Sequence, residues 1–242
     1  ISAKLLIEGE SINPSLTGEA TISNGRVRLP SLAEDITNLE TVINISGRTF
    51  QLTRGSARIG DGLAQFGGNI IIQENTTTAD LRGELNRVKL QPSDDLQLDL
   101  SGQLNLIGEV GNFELRGDLD LNSLQYTANF DLENLLRRRP EALPVPTFRP
   151  GEAWRLRVNV RADDNIVFVN NFAEAELSAN LRVTGTSERI GAIGTLTPLW
   201  ARANYGGHTY EVEQAMIDLT EEYRISPRFE IRASTEACEM DL

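Results

Sequence analysis

His208 is the sole histidine of the chain, so serine- or cysteine-type acyl transfer would have to be assembled around it. Its setting, Gly206-Gly207-His208-Thr209-Tyr210, is turn-like and has no nucleophile motif beside it, which assigns His208 a structural or surface role. Neighbouring carboxylates occur at Asp94-Asp95, Asp163-Asp164 and Glu221-Glu222, and hydrolysis of a glycosidic bond needs two carboxyl groups at a set separation. Adjacent residues of a strand point to opposite faces, however, so these pairs do not make dyads by themselves. Asp118-Leu119-Asp120-Leu121-Asn122 opens like a calcium loop, but Ser123 stands where the sharp-turning Gly belongs and no Glu closes the frame. Cys238 is the single cysteine, which rules out an internal disulfide and any multi-cysteine metal site. The expectation is a protein with no catalytic residue, no cofactor and no metal ligand, in other words not an enzyme. Asn44-Ile45-Ser46 and Asn75-Thr76-Thr77 fit the glycosylation pattern and matter only in a eukaryotic secretory context.

The elements that carry these residues are more informative. A unit of apolar, any, Gly, polar, apolar recurs as Leu16-Thr17-Gly18-Glu19-Ala20, Phe66-Gly67-Gly68-Asn69-Ile70, Leu81-Arg82-Gly83-Glu84-Leu85, Leu100-Ser101-Gly102-Gln103-Leu104 and Leu115-Arg116-Gly117-Asp118-Leu119. Such self-similarity points to a stack of near-equivalent elements. From Leu96 through Leu98, Leu100, Gly102 and Leu104 to Leu106 every even position is apolar or Gly, with Gln97, Asp99, Ser101, Gln103 and Asn105 between them. That is one half-buried strand with a dry and a wet face. Parity then flips to Phe113, Leu115, Gly117, Leu119 and Leu121 across a Gly-containing turn at 108–112, which predicts an antiparallel hairpin. Leu156, Val158 and Val160, then Leu177 and Leu181, continue the pattern. No long stretch has the 3.6-residue period, so little helix is expected.

With 242 residues and a formal charge of −12, the chain has the length of one large all-β domain and the wrong sign for a nucleic-acid partner. No apolar run is long enough to cross a bilayer as a helix. The chain starts at Ile1 without a basic n-region or apolar h-region, and it is expected to be one continuous domain, residues 1–242, of a longer protein. The clearest interruption of the pattern, 133–151, holds Arg137, Arg138 and Arg139 and then Pro140, Pro144, Pro146 and Pro150, and it is expected to be a long extended connection or an internal break. Pro30 to Asn38 is expected to be a shorter excursion.

About 15 strands of roughly 8 to 10 residues, side by side at about 4.8 Å, would make a sheet roughly 70 Å wide. A sheet that wide curls, and curling encloses the apolar face. Several thousand Å² of that face in water would cost tens of kcal/mol at about 25 cal/mol per Å², so it either collapses into a core or holds apolar guests. The fold class read from the residues is all-β, a long curled antiparallel or mixed sheet whose apolar face is either a closed core or an open groove. Its lining is assigned to Phe66, Ile70, Leu81, Leu85, Leu96, Leu98, Leu100, Leu104, Leu106, Phe113, Leu115, Leu119, Leu121, Leu156, Val158, Val160, Leu177 and Leu181.

The run Leu16-Thr17-Gly18-Glu19-Ala20-Thr21-Ile22-Ser23-Asn24-Gly25-Arg26-Val27-Arg28-Leu29-Pro30, followed by Ile36-Thr37-Asn38-Leu39 and Gly60-Asp61-Gly62, resembles the repeating pattern of TamB proteins. Residues 156–168, then Glu176-Leu177-Ser178-Ala179-Asn180-Leu181-Arg182-Val183-Thr184-Gly185-Thr186, Ile193-Gly194-Thr195-Leu196, Tyr210-Glu211-Val212 and residues 225–233, are similar to their C-terminal domain. The resemblance implies an open, taco-like groove with an apolar interior, in a periplasmic protein tethered to the inner membrane through a segment outside this chain and acting in outer-membrane biogenesis with an outer-membrane barrel of the TamA type. Relatives in the wider AsmA-like group imply phospholipid transport. The leading expectation is a non-catalytic conveyor of phospholipid acyl chains. The alternative is a scaffold that guides unfolded outer-membrane strands by pairing at sheet edges.

Overall fold

The computed structural model describes residues 1–10, 13–28, 34–129 and 154–235. The Pro- and Arg-rich connection at 133–151, residues 30–33 of the excursion from Pro30 to Asn38, and Cys238 lie outside them.

Within these residues the chain forms thirteen strands and no helix. They are β1 (Ser2–Glu10), β2 (Asn13–Val27), β3 (Ile36–Ser46), β4 (Thr49–Ile59), β5 (Gly62–Ile72), β6 (Thr77–Ser93) and β7 (Leu96–Glu109). Then come β8 (Asn112–Tyr126), β9 (Arg155–Val169), β10 (Ala173–Gly185), β11 (Ile190–Tyr205), β12 (His208–Glu221) and β13 (Pro227–Ser234). The strands pair strictly in chain order as one sheet that does not close into a barrel. The expected open, curled all-β sheet is therefore what the chain forms.

All neighbours are antiparallel except β8 and β9, which run parallel from Glu114↔Arg155 to Tyr126↔Phe168. A parallel pair cannot be joined by a tight turn, which is why the alternation breaks between these two strands. Several antiparallel connections are tight: Glu109 pairs Asn112 across Val110-Gly111, and Tyr205 pairs His208 across Gly206-Gly207. Positive φ at Gly111, Gly206 and Gly207 suits such two-residue loops.

The strands are longer and fewer than the roughly 15 strands of 8 to 10 residues expected from repeat spacing, running from 8 residues in β13 to 17 in β6. The reason is a series of bulges that interrupt the alternation without ending a strand. Arg54 and Arg87 take positive φ where β4 and β6 bulge, between Leu52 and Gly55 and between Leu85 and Val88. Read as sequence, each parity change looks like a strand boundary; in the sheet it is a bend that adds curl.

The polar groups at the β6 bulge are satisfied from neighbouring strands. Ser101 Oγ accepts the Arg87 backbone N–H at 3.0 Å, and Asn122 Nδ2 donates to both Ser101 Oγ and Asp99 Oδ1 at 2.8 Å. Asp99 is buried although it lies on the wet face, with the Arg87 guanidinium 3.5 Å from its carboxylate. This cluster holds the bend.

Candidate functional site: the inner face of the curled sheet

Pleating puts alternate residues of each strand on the concave side, and strand register aligns them into rungs across the sheet. One rung reads Leu52, Gly68, Leu81, Leu106, Leu115, Leu156 from β4 to β9. The next reads Phe66, Gly83, Leu104, Gly117, Val158, and a third Ala64, Leu85, Gly102, Leu119, Val160, Leu181, Gly194, Leu219. Large apolar side chains repeatedly stand beside glycine. Crowding on the concave side explains this: a Cβ at Gly117 would overlap the Gln103 backbone, and Leu104 Cδ2 lies only 2.9 Å from that position.

All eighteen residues assigned to the lining lie on this inner face, and they fall into two groups. Leu100, Leu121, Val158 and Leu177 are buried. The others, Phe66, Ile70, Leu81, Leu85, Leu96, Leu98, Leu104, Leu106, Phe113, Leu115, Leu119, Leu156, Val160 and Leu181, keep part of their surface in solvent.

Burial concentrates in a belt at one height of the groove, where Val88, Leu100, Leu121, Ala162, Ile166, Leu177 and Ala179 pack together. Ile59 of β4 and Leu196 of β11 pack on the same cluster. Val88 is only 1% exposed. At this height the curl is tight enough that the side chains fill it. Val88 was not among the assigned residues because it sits just past the β6 bulge, where counting by twos fails. Ala162 keeps the parity of Leu156, Val158 and Val160, and Ile166 lies beyond the register shift that follows it, with Asp164 interrupting the apolar row.

Away from the belt the face opens. Phe113 and Trp154 form an edge-to-face pair with centroids 6.3 Å apart at one end of the parallel β8–β9 junction. Tyr126 and Phe168 stack at 5.6 Å at the other. Both pairs follow the inner-face parity of Leu115 and Leu124, so aromatic rings mark the two mouths of the groove.

The residues that suggested chemistry are scattered over the outer face and the turns. His208 is exposed in the β11–β12 hairpin, and Asp94 and Asp95 form the β6–β7 turn. Asp118 Oδ1 accepts a hydrogen bond from Asn159 Nδ2 at 2.8 Å, and Asp120 is exposed. Glu221 is held by Arg224, which keeps its carboxyl below the usual range. Glu114 is likewise held down, chiefly by hydrogen bonds from Arg116 at 2.8 and 3.0 Å, with Arg157 3.7 Å away. These are ion pairs of a wet surface. Among the described residues no cluster of His, Cys, Asp or Glu could hold a metal ion, and no helix is long and apolar enough to cross a membrane.

The seam between β11 and β12 is a feature the sequence pattern did not disclose. Pairing runs from Ala192↔Glu221 to Leu196↔Ile217, stops, and resumes at Arg202↔Glu211. A cavity of about 510 Å³ lies at the interruption. Its trace in the sequence is the loss of alternation at Leu196-Thr197-Pro198-Leu199-Trp200-Ala201.

The family model of the TamB C-terminal domain matches residues 53–238, well over half of the chain. No curated protein and no solved structure matches. TamB proteins are non-enzymatic, span the periplasm from an inner-membrane anchor, and work with TamA in outer-membrane assembly. A single open sheet with a glycine-punctuated apolar inner face, matched over most of its length by that family, places this chain in the TamB family.

Proposed function

We propose that this domain is a non-catalytic conduit for phospholipid within outer-membrane biogenesis. Acyl chains would lie along the half-exposed part of the inner face, and headgroups would project from the open side of the sheet toward the periplasm. The observation that carries the reading is the unbroken apolar rung Leu81, Leu106, Leu115, Leu156, which remains partly in solvent beside the packed belt. A face of this kind left in water costs about 25 cal/mol per Å², and an acyl chain removes that cost without asking for a hydrogen bond. Charged and polar side chains such as Gln103, Arg116 and Asp118 stay on the outer face, so a guest on the inner side meets hydrocarbon.

The test is native mass spectrometry with lipid extraction on the purified chain and on Leu104→Glu. Phospholipid in defined stoichiometry, lost in Leu104→Glu while the β circular-dichroism spectrum is retained, supports the conduit. A lipid-free, stable wild-type chain overturns it. The same half-exposed rungs would then have to serve unfolded outer-membrane strands in a scaffold.

A further inference from the structure

The interrupted seam between β11 and β12 has a particular construction. The residues that face each other across it, 197–201 and 212–216, are five on each side, and register is the same before and after. Each strand also carries one extra residue here relative to its other neighbour. Leu199 is skipped between Glu176↔Trp200 and Leu177↔Pro198, and Glu213 is skipped between Val212↔Ala233 and Gln214↔Arg232. Two opposed bulges at one height bow the strands apart and cancel in register. They leave a slit instead of a dislocation.

The slit is about five residues long, which at roughly 3.4 Å per residue is about 17 Å. Its borders are backbone. In a paired sheet, alternate N–H and C=O groups of these strands would bond across the gap, and here they have no ladder partner in each other. Pro198 brings no N–H of its own. The lining is two-sided, as a strand would be: Ala201, Val212, Ala215 and Ile231 follow the inner parity, and Trp200 and Met216 the outer. Trp200 and Met216 are about half exposed on the outer face, and the Arg202 guanidinium lies 5.5 Å from the Trp200 ring centre.

We propose that the β11–β12 slit is a binding site for one extended peptide segment, which enters as a short strand and pairs with both borders. An acyl chain would cover the same apolar lining but would strip water from the border amides and return nothing, and buried unpaired amides are costly. A peptide strand satisfies both rows and can alternate apolar residues inward with polar ones outward. Glu213 and Glu230 in the lining are offset locally by Arg232 and Arg202, and the chain's formal charge of −12 favours basic residues on the peptide's outward face. This site is separate from the groove rungs proposed to carry lipid.

The experiment titrates a fluorescein-labelled ten-residue peptide of alternating Val and Lys into the purified chain at 0.3 M salt, with anisotropy as readout. A second peptide of the same sequence, N-methylated at alternate residues, keeps charge and apolar area and loses one row of backbone donors. A variant lacking both Leu199 and Glu213 removes the two bulges together and leaves every ladder in register. Saturable binding at one peptide per chain, at least tenfold weaker for the N-methylated peptide and lost in the double deletion, is the expected result. Wild-type chain that binds neither peptide, or binds both equally, overturns the proposal. So does undiminished binding by a folded double-deletion variant. If that variant fails to fold, the comparison of the two peptides on wild-type chain decides. Copurified phospholipid should be unchanged in the double deletion, so loss of the lipid conduit and loss of the peptide site are read separately.

Discussion

The belt around Val88 and the seam around Trp200 are built from the same sheet, yet one is sealed and the other open. In the belt, bulges on β6 and β9 tighten the curl until side chains from β4 to β11 meet. In the seam, bulges on β11 and β12 oppose each other and part the strands. A bulge thus has no fixed consequence. Whether it closes or opens the sheet depends on what the neighbouring strand does at the same height.

The largest effect that would break this contrast comes from charge in the belt. Leu100→Glu buries an unpaired carboxylate, so the expected outcome is loss of the cooperative thermal transition and of the β spectrum, whereas Leu104→Glu, on a half-exposed rung, leaves both. Ile166→Ala, a truncation in the same belt, should cost about 2 to 5 kcal/mol by urea denaturation. Equal destabilisation by Leu100→Glu and Leu104→Glu would mean that the whole inner face is core.

Glycines differ from one rung to the next in the same way. Gly102 has φ of 144°, and a Cβ there would overlap the Asp118 carbonyl oxygen. Gly102→Ala should therefore cost about 2 to 4 kcal/mol. Gly83 occupies the equivalent place in its own repeat, yet a Cβ there would meet nothing nearer than 3.8 Å and its φ is ordinary. Gly83→Ala should stabilise by about 0.5 kcal/mol through a less flexible unfolded chain. Urea titration of both variants tests whether curl is concentrated at particular rungs.

The smallest effect belongs to the outer face. The carboxyl of Glu114 is held below its ordinary value by Arg116, with Arg157 and Arg155 adding to it. A lowered folded-state pKa means the stabilisation is present above the ordinary glutamate range and is lost as pH falls through the lowered value. Glu114→Gln should therefore lower Tm slightly at pH 7, with the difference from wild type vanishing as pH falls through that lowered value. A difference that persisted in acid would mean that Glu114 acts by packing.

Much of this architecture was legible from residues alone. Alternation from Leu96 to Leu106 and from Phe113 to Leu121 defined strands, faces and hairpin, because a strand's side-chain period of two is local. The recurring Gly units announced near-equivalent elements and a curled sheet. Parity alone assigns a residue to a face, and the eighteen lining residues were assigned on that basis. Parity does not say how deeply a face is buried, so Leu100 and Leu104 looked alike.

The alignment of bulges on different strands is set by the folded sheet and cannot be read along one strand. Arg87 at positive φ, the jump from Ala162 to Ile166, and the skipped residues Leu199 and Glu213 each look like noise in a one-dimensional pattern. Their effect depends on register with strands distant along the chain. Alternation within single strands is enough to define a two-faced sheet with one apolar side. The packed belt, the half-open rungs and the β11–β12 slit exist because curvature and register are properties of strands together, and no single strand encodes them.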